Sequence, residues 1–147
     1  NHPPFPVLVY AGVLGRETTE MDKAFEERFA RNGWRGIWRN GIFGYHHFHP
    51  DAHEALGVAH GSAEVQLGGE SGKRLRLEAG DLLVLPAGTG HKRLSASADF
   101  LVVGAYPEGQ ENYTIRRSTV PRDVVAQVPR PSTDPLYGKD GPLMRLW

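Results

Sequence analysis

The sequence predicts an all-β single domain, a small barrel or sandwich carrying one helix near its N-terminus. Three observations lead there. From Trp34 to Tyr106 the chain breaks into short segments of strand-like composition separated by turn residues, and only one stretch has a helical period. Its 147 residues are one domain's worth, enough to bury a core without cross-links.

Residues 1–6 hold three prolines and are expected to form an extended arm. The apolar run at residues 7–13 reads as a first strand. The helix follows. Thr19 is placed to cap it, with Asp22 at the capping-box position, and Asn32-Gly33 supplies a left-handed stop. Met21, Phe25 and Phe29 recur at four-residue spacing on one face, so the helix should cover an edge or end of a sheet; no chemistry is assigned to it. The strand segments are WRGIWRN, GIFGYHHFH, EALGVAH, AEVQL, KRLRLE, DLLVLP, HKRLS and DFLVVGAY. Between them, residues 68–73 (GGESGK) read as a hairpin loop, 78–81 (EAGD) as a tight turn, and 86–91 (PAGTGH) as a glycine-rich crossing into another strand. No internal repeat is visible. Six of the eleven prolines lie between residues 107 and 142, where periodicity fades. This tail should be extended and should lie on the barrel or on a second subunit. Its end carries Leu136, Tyr137, Leu143, Leu146 and Trp147, which are costly to leave in water. The division is 1–35 for arm, strand and helix, 36–106 for the β core, and 107–147 for the tail, all one domain.

Lysine plus arginine equals aspartate plus glutamate at 17 each, so there is no basic field for nucleic acid or an anionic membrane. The expected partner is a small molecule. The absence of cysteine excludes disulfides, zinc–thiolate sites and thiol nucleophiles. No apolar run approaches the roughly 20 residues that span a bilayer, and residues 1–10 lack the layout of a signal peptide. The expectation is a cytoplasmic protein. The apolar tail and the two-sided apolar strand FLVVGAY point to a homodimer.

Residues 41–61 hold five of the seven histidines, together with Glu54. His47 and His49 are two apart, so on a strand both imidazoles point the same way, and Pro50 ends that strand. A carboxylate from Glu54 can join them if the strands are neighbours. Two imidazoles and a carboxylate in one space suit a transition metal with an open position. If Glu54 faces inward, so do Leu56 and Val58, while His53 points the other way; His46 likewise lies opposite His47. Tyr45 and Phe43 share the parity of His47 and are placed to line a pocket. His60 and His2 receive no role.

The spacings are specific. Gly41, His47, His49, Glu54 and Gly61, separated by five, one, four and six residues, resemble the first motif of the cupin superfamily. Gly80, Pro86, Gly88 and His91, separated by five, one and two residues, resemble the second, which usually ends in Asn where this chain has Ser95. Over nearly its whole length the chain also resembles the YjlB-like group of small bacterial cupins, through NGWRGIWRNGIF, HEALGV, PAGTGHKRL, VVGAYPEGQ and DPLYGKDGPL.

The resemblance implies a cupin (double-stranded β-helix, or jelly-roll) barrel of two antiparallel sheets. It implies a metal held by His47, His49, Glu54 and His91, with Ser95 able to hydrogen-bond behind them. His53 could orient a neighbouring ligand, and Arg93, on the parity of His91, could meet an anionic substrate. The metal would be one divalent ion per chain, of Fe, Mn, Ni, Cu or Zn, and ligand type alone does not choose among them. Three functions follow as expectations: a dioxygenase-like oxidoreductase, a redox-neutral isomerase or lyase with Tyr45 or His53 as base, and a non-catalytic metal-dependent binding or sensing protein.

Overall fold

The computed structural model describes residues 5–147; His2 and most of the expected arm fall outside them. Eight strands and three helices follow in the order β1 (Leu8–Tyr10), α1 (Met21–Arg31), β2 (Trp34–Asn40), β3 (Glu54–His60), β4 (Ser62–Leu67), β5 (Lys73–Glu78), β6 (Leu82–Leu85), β7 (His91–Ala96), β8 (Leu101–Pro107), α2 (Arg122–Ala126) and α3 (Leu143–Leu146). A five-stranded sheet in the order β1-β6-β3-β8-β2 faces a three-stranded sheet in the order β5-β4-β7, and every pairing is antiparallel. The glycine-rich loop after β6 carries the chain from the first sheet to the second, as its composition predicts.

The larger sheet is buried on both faces, which is why β3 and β8 read as near-continuous apolar runs. Leu56, Val58, Leu83, Leu85 and Val102 point inward and meet Ala63, Val65 and Leu77 of the smaller sheet. Ala55, Ala59, Leu82, Val84, Val103 and Ala105 point outward beneath Met21, Phe25 and Phe29 of α1 and Leu136 and Leu143 of the tail. The apolarity of β8 and of Leu136 and Leu143 in the tail, which suggested a second subunit, is thus covered within one chain, while Tyr137 and Leu146 stay exposed.

Several elements depart from the sequence reading. The first strand stops at Tyr10, because only residues 8–10 find partners on β6 and Gly12 then turns the chain. Thr19 does not cap α1; Glu20 takes the N-cap position in the left-handed region (φ 50°), and the Asp22 carboxylate accepts from Lys23 N instead. Packing outweighs that missing cap: fully burying a phenylalanine is worth about 1.5–3 kcal/mol, a cap about 1 kcal/mol, and Phe25 and Phe29 are both fully buried. The stop holds, with Gly33 at φ 79°. Residues 41–49 are not a strand but a broken edge, touching β7 through a bridge at His47–His91 and the tail through one at Phe48–Arg116. The tail is not simply extended, since it contains α2 and α3.

Two bulges re-aim side chains. In β2, Gly36 (φ 64°) and Ile37 fall where β8 offers a single residue, Ala105, so the alternation resets between Arg35 and Trp38. Trp34 packs outward under the tail while Trp38, four residues on, packs inward. The indole of Trp38 lies across Gly104, where a Cβ would come within 2.1 Å of the ring. In β7, Leu94 is the extra residue between the pairs Val65–Arg93 and Glu64–Ser95.

The tail is anchored at Asp134, which has no solvent exposure. Its carboxylate accepts from the Tyr10 hydroxyl and from the backbone N–H groups of Leu136, Tyr137 and Leu143. Asp134→Ala would leave these donors unpaired and is expected to cost about 3 kcal/mol or more. Urea unfolding should show a lower midpoint at unchanged slope; a change within about 0.5 kcal/mol would refute the anchoring account.

Candidate metal centre

The mouth-side end of the barrel collects polar side chains from three elements. Glu54 opens β3, His91 opens β7, and His47 and His49 come from the broken edge beside β7. All four are at most 5% exposed. His47, His49 and His91 each offer a ring nitrogen, and these atoms lie within 4.8 Å of one another. Glu54 stands at the side of this triad: its Oε2 is 3.2 Å from His49 Nε2 and its Oε1 is 3.3 Å from His91 Nε2.

The backbone sets the tautomers. His47 Nδ1 lies 3.1 Å from the Tyr45 carbonyl, His49 Nδ1 2.8 Å from that of Thr114, and His91 Nδ1 3.0 Å from that of Thr89. A carbonyl only accepts, so each Nδ1 carries the hydrogen and each Nε2 is free to present a lone pair. That is the orientation in which a metal-binding histidine is usually held.

Charge tells the same story. Burial would raise the Glu54 carboxyl, but the adjoining His49 and His91 rings, when they carry a proton at Nε2 where a cation could stand, hold it well below the usual carboxylate range. Its Oε2 accepts a 2.8 Å hydrogen bond from the Tyr106 hydroxyl, while Oε1 is buried without a hydrogen-bond partner. Burial and the nearby His91 push His47 down to about 4, so it is neutral near pH 7. At His49, burial works downward and the Glu54 carboxylate reverses it, leaving the group raised. A buried anion with an orphaned oxygen beside three imidazoles needs a cation. The residues therefore fit a divalent metal.

Tyr106 and Tyr113 escaped the sequence reading. Tyr106 OH accepts from Trp38 Nε1 at 2.8 Å as it donates to Glu54, so the carboxylate is held from behind by a two-step chain. Burial and the Glu54 charge raise its phenol, keeping it a donor. Parity could have found it, since Tyr106 shares the inward face of Val102 on β8. Tyr113 lies 4.7 Å edge-on from the His49 ring and stacks on Tyr106 at 4.2 Å. It belongs to the tail, where no local pattern marks it.

Of the other residues singled out, Arg93 and Phe43 line a cavity of about 500 Å³ that opens over the triad. Tyr45 does not line it: the ring stacks on Phe43 beneath the Arg117 guanidinium and meets His47 edge-on at 5.8 Å, while its carbonyl orients the His47 ring. Ser95 is turned away. The bulge at Leu94 puts it opposite Glu64 on the outer face, exposed, so it cannot support the triad. His46 is partly buried, with Nε2 3.1 Å from a Glu70 oxygen, and His60 is exposed.

His53 points away from the cavity, as parity predicts, yet it is only 1% exposed. Its Nδ1 accepts from Ala87 N at 2.8 Å and its Nε2 donates to the Pro129 carbonyl at 3.1 Å, while Phe5 and Trp147 pack edge-on against the ring. Burial pushes it down to about 4, so it is a neutral pin between the barrel and both ends of the chain. His53→Ala is expected to cost about 2–4 kcal/mol and to free the tail. Trypsin should then cut at Arg130 or Arg145 well before the wild type is cleaved; equal cleavage rates would exclude the pin.

Comparison with known proteins places the fold. Residues 37–103 match the family model described as the cupin domain. The whole chain aligns with the uncharacterized protein YjlB of Bacillus subtilis (strain 168), 40% identical over 152 residues and covering 88% of that protein. Among solved structures, a double-stranded β-helix protein of Klebsiella pneumoniae is 21% identical, with TM-score 0.45 over 56% of this chain and 66% of that one. Acireductone dioxygenase of Bacillus anthracis is 18% identical, with TM-score 0.43 over 77% and 79% of the two chains. A TDP-fucose-3,4-ketoisomerase of Campylobacter jejuni is 13% identical, with TM-score 0.43 over 55% and 67%. These structural likenesses do not bear on the reaction. The match to the cupin domain and the full-length kinship with YjlB make this chain a member of the cupin family.

Proposed function

We propose that the protein is a metal-dependent enzyme acting on a small molecule, of the dioxygenase-like oxidoreductase type, with His47, His49, His91 and Glu54 as the metal ligands. The observation that carries this reading is the set of three backbone-oriented imidazoles turned toward a buried carboxylate whose Oε1 lacks a partner. A divalent transition metal bound there supplies a Lewis acid and, where redox-active, an oxygen-handling centre.

The chain's own residues do the rest. Tyr106 keeps Glu54 turned toward the triad by donating to Oε2, and Trp38 fixes Tyr106. Thr114 holds the His49 ring from the tail, and Asp51 holds Thr114 through its backbone N–H at 2.9 Å. Trp38, Ile42, Phe43, Leu56 and Ile115 give the cavity apolar walls that limit water around the ligand.

The redox-neutral isomerase or lyase ranks second because neither of the bases expected for it reaches the cavity. Among the described residues, the imidazoles and carboxylates lining the cavity are His47, His49, His91 and Glu54 alone, and both expected bases, Tyr45 and His53, lie outside it. A non-catalytic binding role ranks third; the deep cavity over the triad suits turnover as well as binding.

Protein purified without chelators is expected to carry about one transition-metal ion per chain by elemental analysis. His91→Ala should lower that content as much as His47→Ala, and His46→Ala should leave it nearly unchanged. Iron-loaded protein should consume oxygen when offered enediol substrates. Full turnover with zinc under anaerobic conditions would instead establish the redox-neutral reading, and a metal content near zero at all sites would end both.

A further inference from the structure

The cavity contains one cation that the triad does not explain. Arg39 and Arg93 both line it, but Arg39 is spoken for: its guanidinium makes paired contacts with Glu26 at 2.7 and 2.8 Å and one with Asp22 at 2.7 Å. Among the described residues, no carboxylate lies within ion-pair distance of Arg93. The pairing of Arg93 with the inward-facing Val65 puts it on the inner side of β7, two residues from His91, and its guanidinium lies over the bare backbone of Gly44 at the cavity wall.

The surroundings are apolar. Phe43 and Ile115, 43% and 45% exposed, are among the few large hydrophobic side chains left in solvent, and both lie on the cavity. Tyr113 adds a flat aromatic wall beside His49. A guanidinium without an ion-pair partner, next to exposed apolar surface and two residues from the triad's His91, calls for a ligand carrying one negative charge and a hydrophobic body. A phosphate dianion generally takes several donors, whereas a carboxylate is satisfied by the two-pronged face of one guanidinium.

We propose that the cavity binds a small organic acid whose carboxylate pairs with Arg93 and whose apolar or aromatic body rests against Phe43, Tyr113 and Ile115. This names the substrate class of the proposed metalloenzyme and rests on that reading for the position of the reacting end. The carboxylate contact itself does not require the metal.

The test is calorimetric titration of zinc-loaded and metal-free protein with 3-phenylpropionate, with its uncharged amide, and with inorganic phosphate. The acid should bind, the amide and phosphate should bind at least about tenfold more weakly, and Arg93→Gln should lose about tenfold to a hundredfold in affinity for the acid. Arg93→Lys, which keeps the charge but not the fork, should fall between. Equal binding of acid and amide, phosphate binding as strong as the acid, an unchanged Arg93→Gln, or no binding of the acid overturns the proposal. Metal content is measured on the same samples and should match between wild type and Arg93→Gln. Failure of the wild type to hold metal would count against the metalloenzyme reading, while the Arg93 dependence in metal-free protein would still decide this one.

Discussion

The buried carboxylate of Glu54 governs the metal-site end of this molecule. Glu54 opens the central part of a five-stranded sheet, 3% exposed, and among the described residues no lysine or arginine pairs with it. Taking a carboxylate out of water costs several kcal/mol unless something compensates. The compensation comes from every direction: a phenol behind it, two imidazoles beside it, and room for a cation in front. The inward parity of β3 follows from the same residue, since a Glu54 turned inward carries Leu56 and Val58 into the interior and leaves Ala55 and Ala59 for the helix face.

The tail is part of the site and not a covering added to it. Thr114 fixes the His49 ring, Tyr113 and Ile115 form cavity wall, and Arg116 bridges to Phe48 between the two histidines of the broken edge. Farther on, Pro129 accepts from His53 and Asp134 ties the chain to Tyr10. The last residue closes the circle, because Trp147 stacks on Phe5 and donates to the Pro6 carbonyl. A chain in which residues 113–117 complete a site begun at residue 47 must order its C-terminal part before that site is whole.

Much of this was legible in the sequence, and the rest was hidden for definable reasons. Alternation along EALGV correctly sent Glu54 inward and His53 outward, and the four-residue spacing of Met21, Phe25 and Phe29 found the buried face of α1, because both patterns run without interruption there, the irregularity in β3 coming only after Val58. The supporting role that the motif resemblance implied for Ser95 failed, because one extra residue at Leu94 turns it outward, and parity would have failed between Trp34 and Trp38 for the same reason at Gly36. Bulges leave only faint marks in a sequence. Tyr113 and Thr114 were out of reach because their contacts with His49 span more than sixty positions along the chain, and a local pattern carries no record of such pairings. The histidine spacing still brought His47 and His49 to one place, although the strand expected to carry them is only a pair of bridges.

All three imidazoles of the triad are held in orientation by main-chain carbonyls, those of Tyr45, Thr89 and Thr114. Every residue type has such a carbonyl, so these three positions can accept new side chains without disturbing the rings they steer, provided the path of the chain is kept. The site is thereby robust to drift in its supporting shell and vulnerable to insertions and deletions there. A one-residue change of length in the loop after β6 or in the segment that follows β8 would misdirect a histidine more surely than most substitutions nearby, and divergence within such a family would be tolerated in letters before it was tolerated in length.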